Sequence, residues 1–169
     1  MQKITPFLWY ANQAEEAMNY YVKVFNKNPH KNQDSKIVTI QYYPDNVDNE
    51  HMKGMEGKVL TGIFELEGQQ YMCLDGGSIF TFNESVSLLV ECDGQEEVDY
   101  FWNTFTQQDG QESECGWLKD KYGLSWQIVP KQYNEIVTRP DKEKVGKVME
   151  EMLKMKKINI AKLEEAYNR

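Results

Sequence analysis

Apolar residues recur at helical spacing in some stretches of this chain and alternate or run together briefly in others. Asn12-x-x-Glu15 has the form of a capping box. Ala14, Ala17, Met18, Tyr21, Val22 and Phe25 then follow on one helical face until Asn28-Pro29 closes the run. The aromatic stretch over residues 4–10 before it reads as a strand feeding the helix. Residues 36–43 and 58–67, rich in Val, Ile, Thr, Tyr and Phe, read as two further strands around a polar loop at 44–57. Gly68 turns the chain tightly into a fourth strand at 70–74, which ends at Asp75-Gly76-Gly77. The order so far is βαβββ.

The pattern then starts again. Residues 85–91 read as a strand and Asp93-x-x-Glu96 as a second capping box, after which Val98, Phe101, Trp102 and Phe105 recur on one face. A displacement of 81 positions carries Asn12 onto Asp93, Glu15-Glu16 onto Glu96-Glu97, and Tyr20-Tyr21 onto Phe101-Trp102. A displacement of 55 carries Gly68 onto Gly123 and Tyr71-Met72-Cys73-Leu74 onto Trp126-Gln127-Ile128-Val129. Each half therefore ends in a glycine turn and an apolar strand. Beyond them, Thr138-x-x-Asp141 with Pro140 predicts a third helix carrying an apolar stripe of Val145, Val148, Met149, Met152 and Met155. Lys154, Lys156 and Lys157 suit the negative end of its dipole. Asn159 caps a last helix through Ile160, Leu163 and Tyr167. These helices are expected to pack on the body or on a second subunit; the Met-rich stripe suits core packing or a foreign helix.

Composition narrows the class. The 169 residues are 40% apolar, 12% aromatic and 27% charged, within the globular range, and 19 basic against 27 acidic residues give a net charge of -8. The excess is uneven: residues 141–169 hold eight basic and six acidic residues, a local +2, which leaves -10 for the rest. Nucleic acid and anionic membrane are unfavoured as partners of such a body. No apolar run approaches a membrane span, and Phe7-Leu8-Trp9-Tyr10-Ala11 is too short for a signal peptide. Cys73, Cys92 and Cys115 are odd in number and widely spaced, as expected of reduced thiols in a cytoplasm.

Several segments carry a family resemblance: Ile4-Thr5-Pro6-Phe7-Leu8-Trp9, Asp75-Gly76-Gly77 with Phe82-Asn83-Glu84, Gln95-Glu96-Glu97-Val98-Asp99, and above all the stretch from Cys115-Gly116-Trp117 through Tyr122-Gly123-Leu124-Ser125-Trp126-Gln127-Ile128-Val129-Pro130. They resemble the PhnB-like branch of the vicinal oxygen chelate superfamily, which includes glyoxalases, bleomycin-resistance proteins and extradiol dioxygenases. Met152-Leu153-Lys154-Met155-Lys156-Lys157-Ile158 resembles that branch's C-terminal extension, so the likeness is expected to run the whole chain. It implies an α+β fold of two tandem βαβββ modules, residues 1–77 and 84–130, forming a cupped mixed sheet in one domain of residues 1–130, with a helical extension at 131–169. It also implies a homodimer. Proteins of the branch often carry the name 3-demethylubiquinone-9 3-methyltransferase. A doubly wound methyltransferase wants a glycine-rich turn after its first strand, and here that turn is Ala11-Asn12-Gln13.

The resemblance also implies a divalent metal at four positions, which fall at Thr5, Met72, Val86 and Gln127, or within a residue of them at Pro6, Cys73, Ser87 and Ile128. None is His, Asp or Glu, and one neutral amide cannot hold such an ion. Glu65 is a possible substitute ligand; His30 and His51 fall in polar loops. The expectation is a cup without metal or other cofactor, lined by Thr5, Phe7, Trp9, Met72, Leu74, Trp117 and Gln127, with Ser125 and Val129 beside Gln127 by strand alternation. Trp117 is expected on a loop or strand edge over the mouth. Such a lining suits a small apolar or aromatic molecule fixed by one or two hydrogen bonds. The alternatives are a metal-dependent enzyme of glyoxalase or dioxygenase type with unorthodox ligands, and a module binding a partner protein through its C-terminal helices. Catalytic residues are not assigned; Glu65 and Cys115, the latter near Lys119 and Lys121, are the candidates.

Overall fold

The structure is a computed structural model that describes residues 2–45, 49, 50 and 52–169. The first half reads β1 (Phe7–Tyr10), α1 (Ala14–Asn26), β2 (Lys36–Tyr42), β3 (Val59–Leu66) and β4 (Gln69–Asp75). The second reads β5 (Leu88–Cys92), α2 (Gln95–Phe105), β6 (Gln111–Glu112), β7 (Trp117–Lys119) and β8 (Ser125–Pro130). Three helices follow: α3 (Lys131–Val137), α4 (Lys142–Met152) and α5 (Ile160–Asn168). The strands form two four-stranded sheets with one topology, β1-β4-β3-β2 and β5-β8-β7-β6. In each, the first strand runs parallel to the fourth and the other pairs are antiparallel. The tandem βαβββ fold is therefore as expected. The chain divides into two compact units, the first ending at Phe82 and omitting residues 28–30, the second comprising those residues and Asn83–Arg169.

In the first unit the period-two pattern of β1 buries Leu8 and Tyr10 while Phe7 stays exposed. The stripe of α1 covers the sheet: Tyr21 stacks on Phe64, and Phe64 on Tyr71. The Asn12-Glu15 capping box does not form. The N-cap is Gln13, without a side-chain bond, and the buried Asp75 replaces it. Pairing of Tyr10 with Asp75 brings this carboxylate to the helix start, where it accepts from Ala14 N at 2.9 Å and from Val59 N at 3.0 Å. A negative group there also complements the helix dipole. Glu67 and Gly68 both have positive φ, the backbone of a two-residue hairpin whose second position suits glycine.

The second unit has its own solutions. Its helix cap is Gly94, not Asp93, whose carboxylate instead pairs with Lys131 at 2.6 Å. Glu97, one position beyond the expected Glu96, accepts from Asp93 N and, at 2.5 Å, from Asn28 Nδ2. Phe105 stacks on Trp126 at 4.6 Å, and the buried Asp120 accepts from Trp126 Nε1 at 2.8 Å and from Tyr122 N and Leu124 N.

The repeat is exact in the helices and displaced in the strands. Ala14 maps onto Gln95, but three residues separate β1 from α1 and two separate β5 from α2. The strands therefore correspond at a displacement of 82, Tyr10 onto Cys92, and the pairing Phe7 with Met72 reappears as Leu89 with Gln127. Thr5 is thus matched by Ser87, not by Val86, which lies before β5 and is 70% exposed.

The C-terminal helices belong to the second unit. Helix α3 was not expected, and α4 starts at Asp141, whose side chain accepts from Lys144 N, and not at Thr138: Pro140 and the end of α3 occupy that turn. Asn159 caps α5 as expected. Val148, Met155, Ile158, Leu163 and Ala166 form a core with Ile136 and Val129, so most of the stripe is internal, while Met149 is exposed. Arg139 clamps α5 through two bonds to Glu164 and lies over the Tyr167 ring. Among the described residues no helix is long and apolar enough to cross a membrane.

Candidate functional site

Each sheet has a face turned away from its helix, and the predicted residues divide between these two faces. On the first, the register places Phe7 beside Met72 and Trp9 beside Leu74, so these four share a face. Thr5 precedes β1 and is half-buried. Trp9 is held by its own chain: its Nε1 donates to Gly77 O at 2.9 Å, and Phe80 meets its ring edge-on at 5.0 Å. A Cβ at Gly76 would collide with the indole, so glycine is what lets this turn close over Trp9. Glu65 pairs with Lys36 at 3.3 Å across β2 and β3. That contact gives its carboxylate a structural partner.

The second face holds a cavity of about 380 Å3 lined by Glu84, Gln111, Glu112, Ser113, Trp117, Leu118, Lys119 and Ser125. Trp117 is not at an edge; it lies in β7, between β6 and β8, paired with Gln127. Gln127 itself donates to Ser87 Oγ at 2.8 Å, and Val129 is drawn into the core under the C-terminal helices. Ser125 is only 1% exposed, and its Oγ has no hydrogen-bond partner among the described residues. A buried hydroxyl without a partner is costly in a folded protein. Lys119 reaches Glu84 at 2.5 Å, and the bond and charge of Lys119 hold the Glu84 carboxyl below its usual range. Glu112 accepts from Trp102 Nε1 at 3.1 Å and faces Lys156 at 3.7 Å. Lys119, Gln111 and Glu84 were not among the predicted pocket residues. The signal was present in the alternation of β7, which puts Lys119 on the same face as Trp117.

The residues at the metal positions of the superfamily do not fit a divalent ion. Thr5, Met72, Ser87 and Gln127 offer two hydroxyls, a thioether and an amide, where such an ion needs imidazole or carboxylate. Among the described residues no three His, Cys, Asp or Glu side chains gather. His30 pairs with Glu96 at 3.4 Å on the surface of the second unit, and His51 lies outside the described residues. Burial, with Asp75 nearby, pushes the Cys73 thiol up to about 12, and burial beside Glu97 and Glu91 raises Cys92 as well, so neither is a ready nucleophile. Cys115 has positive φ and donates its backbone N–H to Met155 O at 2.7 Å, with Gly116 N bonded to Lys156 O. It marks where the C-terminal segment is laced to the sheet.

Residues 2–129 match the family model described as 3-demethylubiquinone-9 3-methyltransferase. A solved structure described as a putative 3-demethylubiquinone-9 3-methyltransferase, PhnB protein, from Bacillus cereus is 38% identical. The match covers 76% of this chain and 99% of that one, with a TM-score of 0.64. Protein PA1353 from Pseudomonas aeruginosa, 13% identical over 77% of this chain and 98% of its own, has a TM-score of 0.60 and shares the fold. No curated protein matches. The family model stops within β8, so α3, α4 and α5 lie beyond it. The expected likeness of residues 152–158 therefore lies outside the residues matched by the family model.

Proposed function

This chain belongs to the family described as 3-demethylubiquinone-9 3-methyltransferase, in the PhnB-like branch of the glyoxalase and bleomycin-resistance superfamily, and we propose that it binds a small aromatic molecule without metal. The site is the cavity on the β6-β7-β8 face. The observation that carries this reading is the presence of Trp117 and Ser125 in the lining of a cavity of about 380 Å3, the Ser125 hydroxyl being buried and without a hydrogen-bond partner among the described residues. That volume falls in the range of ordinary ligand sites. The methyltransferase activity in the family's description is not carried over, because neither strand-to-helix link is a glycine-rich nucleotide turn: one is Ala11-Asn12-Gln13 and the other Asp93-Gly94. Three free cysteines support a reducing cytoplasmic setting. Exposed Phe7, Phe80 and Leu89 support a homodimer, for which a sedimentation mass of about twice 19.9 kDa is expected.

A thermal-shift screen of simple aromatics and of divalent metals tests the binding reading. Aromatics should raise the melting temperature progressively with concentration, and Trp117→Ala should remove that response. Stabilisation by metals but by no aromatic would overturn it in favour of a metal-dependent enzyme.

A further inference from the structure

We propose that the cavity takes an aromatic carboxylate, whose anionic group replaces Glu84 on Lys119 and accepts from the Ser125 hydroxyl while its ring lies against Trp117. This rests on the reading of the cavity as the ligand site and adds the ligand's charge. Gln111 pairs with Lys119 and Lys119 with Ser125, so an amide, an ammonium and a hydroxyl form one row across β6, β7 and β8. Trp117, two residues along β7, stands in the next row on the same face. The chain thus sets three hydrogen-bond donors beside one aromatic wall.

Charge decides which ligand this row suits. Lys119 has a side chain only 28% exposed, whereas that of Glu84 is 66% exposed. A carboxylate so open to water can leave its partner readily, while a lysine so enclosed keeps its need for a negative one. Glu112 is already engaged through both oxygens, by Trp102 and Lys156. When Glu84 swings out, Lys119 is therefore the uncompensated charge in the cavity. A planar carboxylate answers both vacancies: one oxygen takes the ammonium and the other the Ser125 proton. Glu84 acts as the chain's own stand-in for that group.

The test is calorimetric titration of the full chain with benzoate, benzamide and benzylamine, on the wild type and on Trp117→Ala, Glu84→Ala, Lys119→Met and Ser125→Ala. Benzoate should bind more tightly than the other two. Lys119→Met should weaken it about tenfold or more, Ser125→Ala should weaken it less, and Glu84→Ala should strengthen it by removing the internal competitor. Should Lys119→Met fail to fold, the tightening by Glu84→Ala decides alone, since that position is exposed. Trp117-dependent binding of benzamide as strong as that of benzoate, unchanged by Glu84→Ala, would overturn the anionic ligand and leave the site standing. No Trp117-dependent binding of any probe would overturn both.

Discussion

The two units share one topology and use the face away from the helix in opposite ways. In the first, the chain supplies local contacts while Phe7 and Phe80 stay exposed: Gly77 accepts from the Trp9 indole N–H, Phe80 abuts the ring and Lys36 pairs with Glu65. In the second, the corresponding face keeps a cavity and a buried hydroxyl with no partner among the described residues. The helix starts differ as well. Asp75 corresponds to Pro130 at the ends of β4 and β8, so the residue that caps α1 in one unit is, in the other, the point where α3 begins. A duplicated scaffold thus has ring and ion-pair contacts on one face and a cavity on the other, with the added helices packed on the open, cavity-bearing unit.

The largest expected effect lies in the core of the open unit. Trp126→Ala removes the ring stacked on Phe105 and strips the buried Asp120 of its indole donor, and should cost about 3–5 kcal/mol in urea denaturation. A much smaller loss would show that the second unit does not depend on this stack. Next comes the cap peculiar to the first unit: Asp75→Ala leaves Ala14 N and Val59 N without an acceptor, for about 2–4 kcal/mol. Hydrogen exchange should place that loss at the start of α1 and along β3.

Acid should act on the added helices of the second unit. Hydrogen bonding to Arg139, opposed by slight desolvation, holds the Glu164 carboxyl below its usual range; Asp99, though partial burial works against it, is held down by Lys157 and Gln95. A carboxyl depressed in the folded state contributes stability that is present above its unfolded value, about 4.3 for Glu. That contribution is lost as pH falls through the folded value. The C-terminal helices should therefore lose hydrogen-exchange protection, measured against the intrinsic exchange rate at each pH, as the pH becomes acidic, and Glu164→Gln should flatten that dependence. The smallest effect belongs to the cavity: Ser125→Ala, removing a hydroxyl without a hydrogen-bond partner among the described residues, should leave the free protein equally stable or up to about 1 kcal/mol more stable. A clear loss of stability would mean that the hydroxyl has a structural task and would weaken its assignment to a ligand.

Much of this was legible in the sequence. The stripes of α1 and α2 are written in Ala17, Met18, Tyr21 and in Val98, Phe101, Trp102, because helical periodicity is a local property. The Asn159 cap is local too. Alternation gave Ser125 as a neighbour of Gln127, but Trp117 was expected on a loop or strand edge and lies inside the sheet, because its pairing with Gln127 depends on cross-strand register. Asp75 as a cap was not legible, since it acts on a residue far away in the chain, and neither was Ser87 as the match to Thr5. One residue fewer in the link before α2 moves β5 by one position against its helix, and in a strand one position changes the face.

The sequence by itself determined the duplication, the helix faces, the want of metal-ligating side chains at the superfamily's positions, and the distinct charge of the tail, because each depends on residue identity and near-neighbour spacing. Only the tertiary structure decided which carboxylate caps which helix, that Lys119 and Ser125 stand side by side, and that the buried Ser125 hydroxyl has no partner among the described residues. Those facts depend on cross-strand register and on what fails to reach a given atom. They are settled when the strands pair, not when the chain is written.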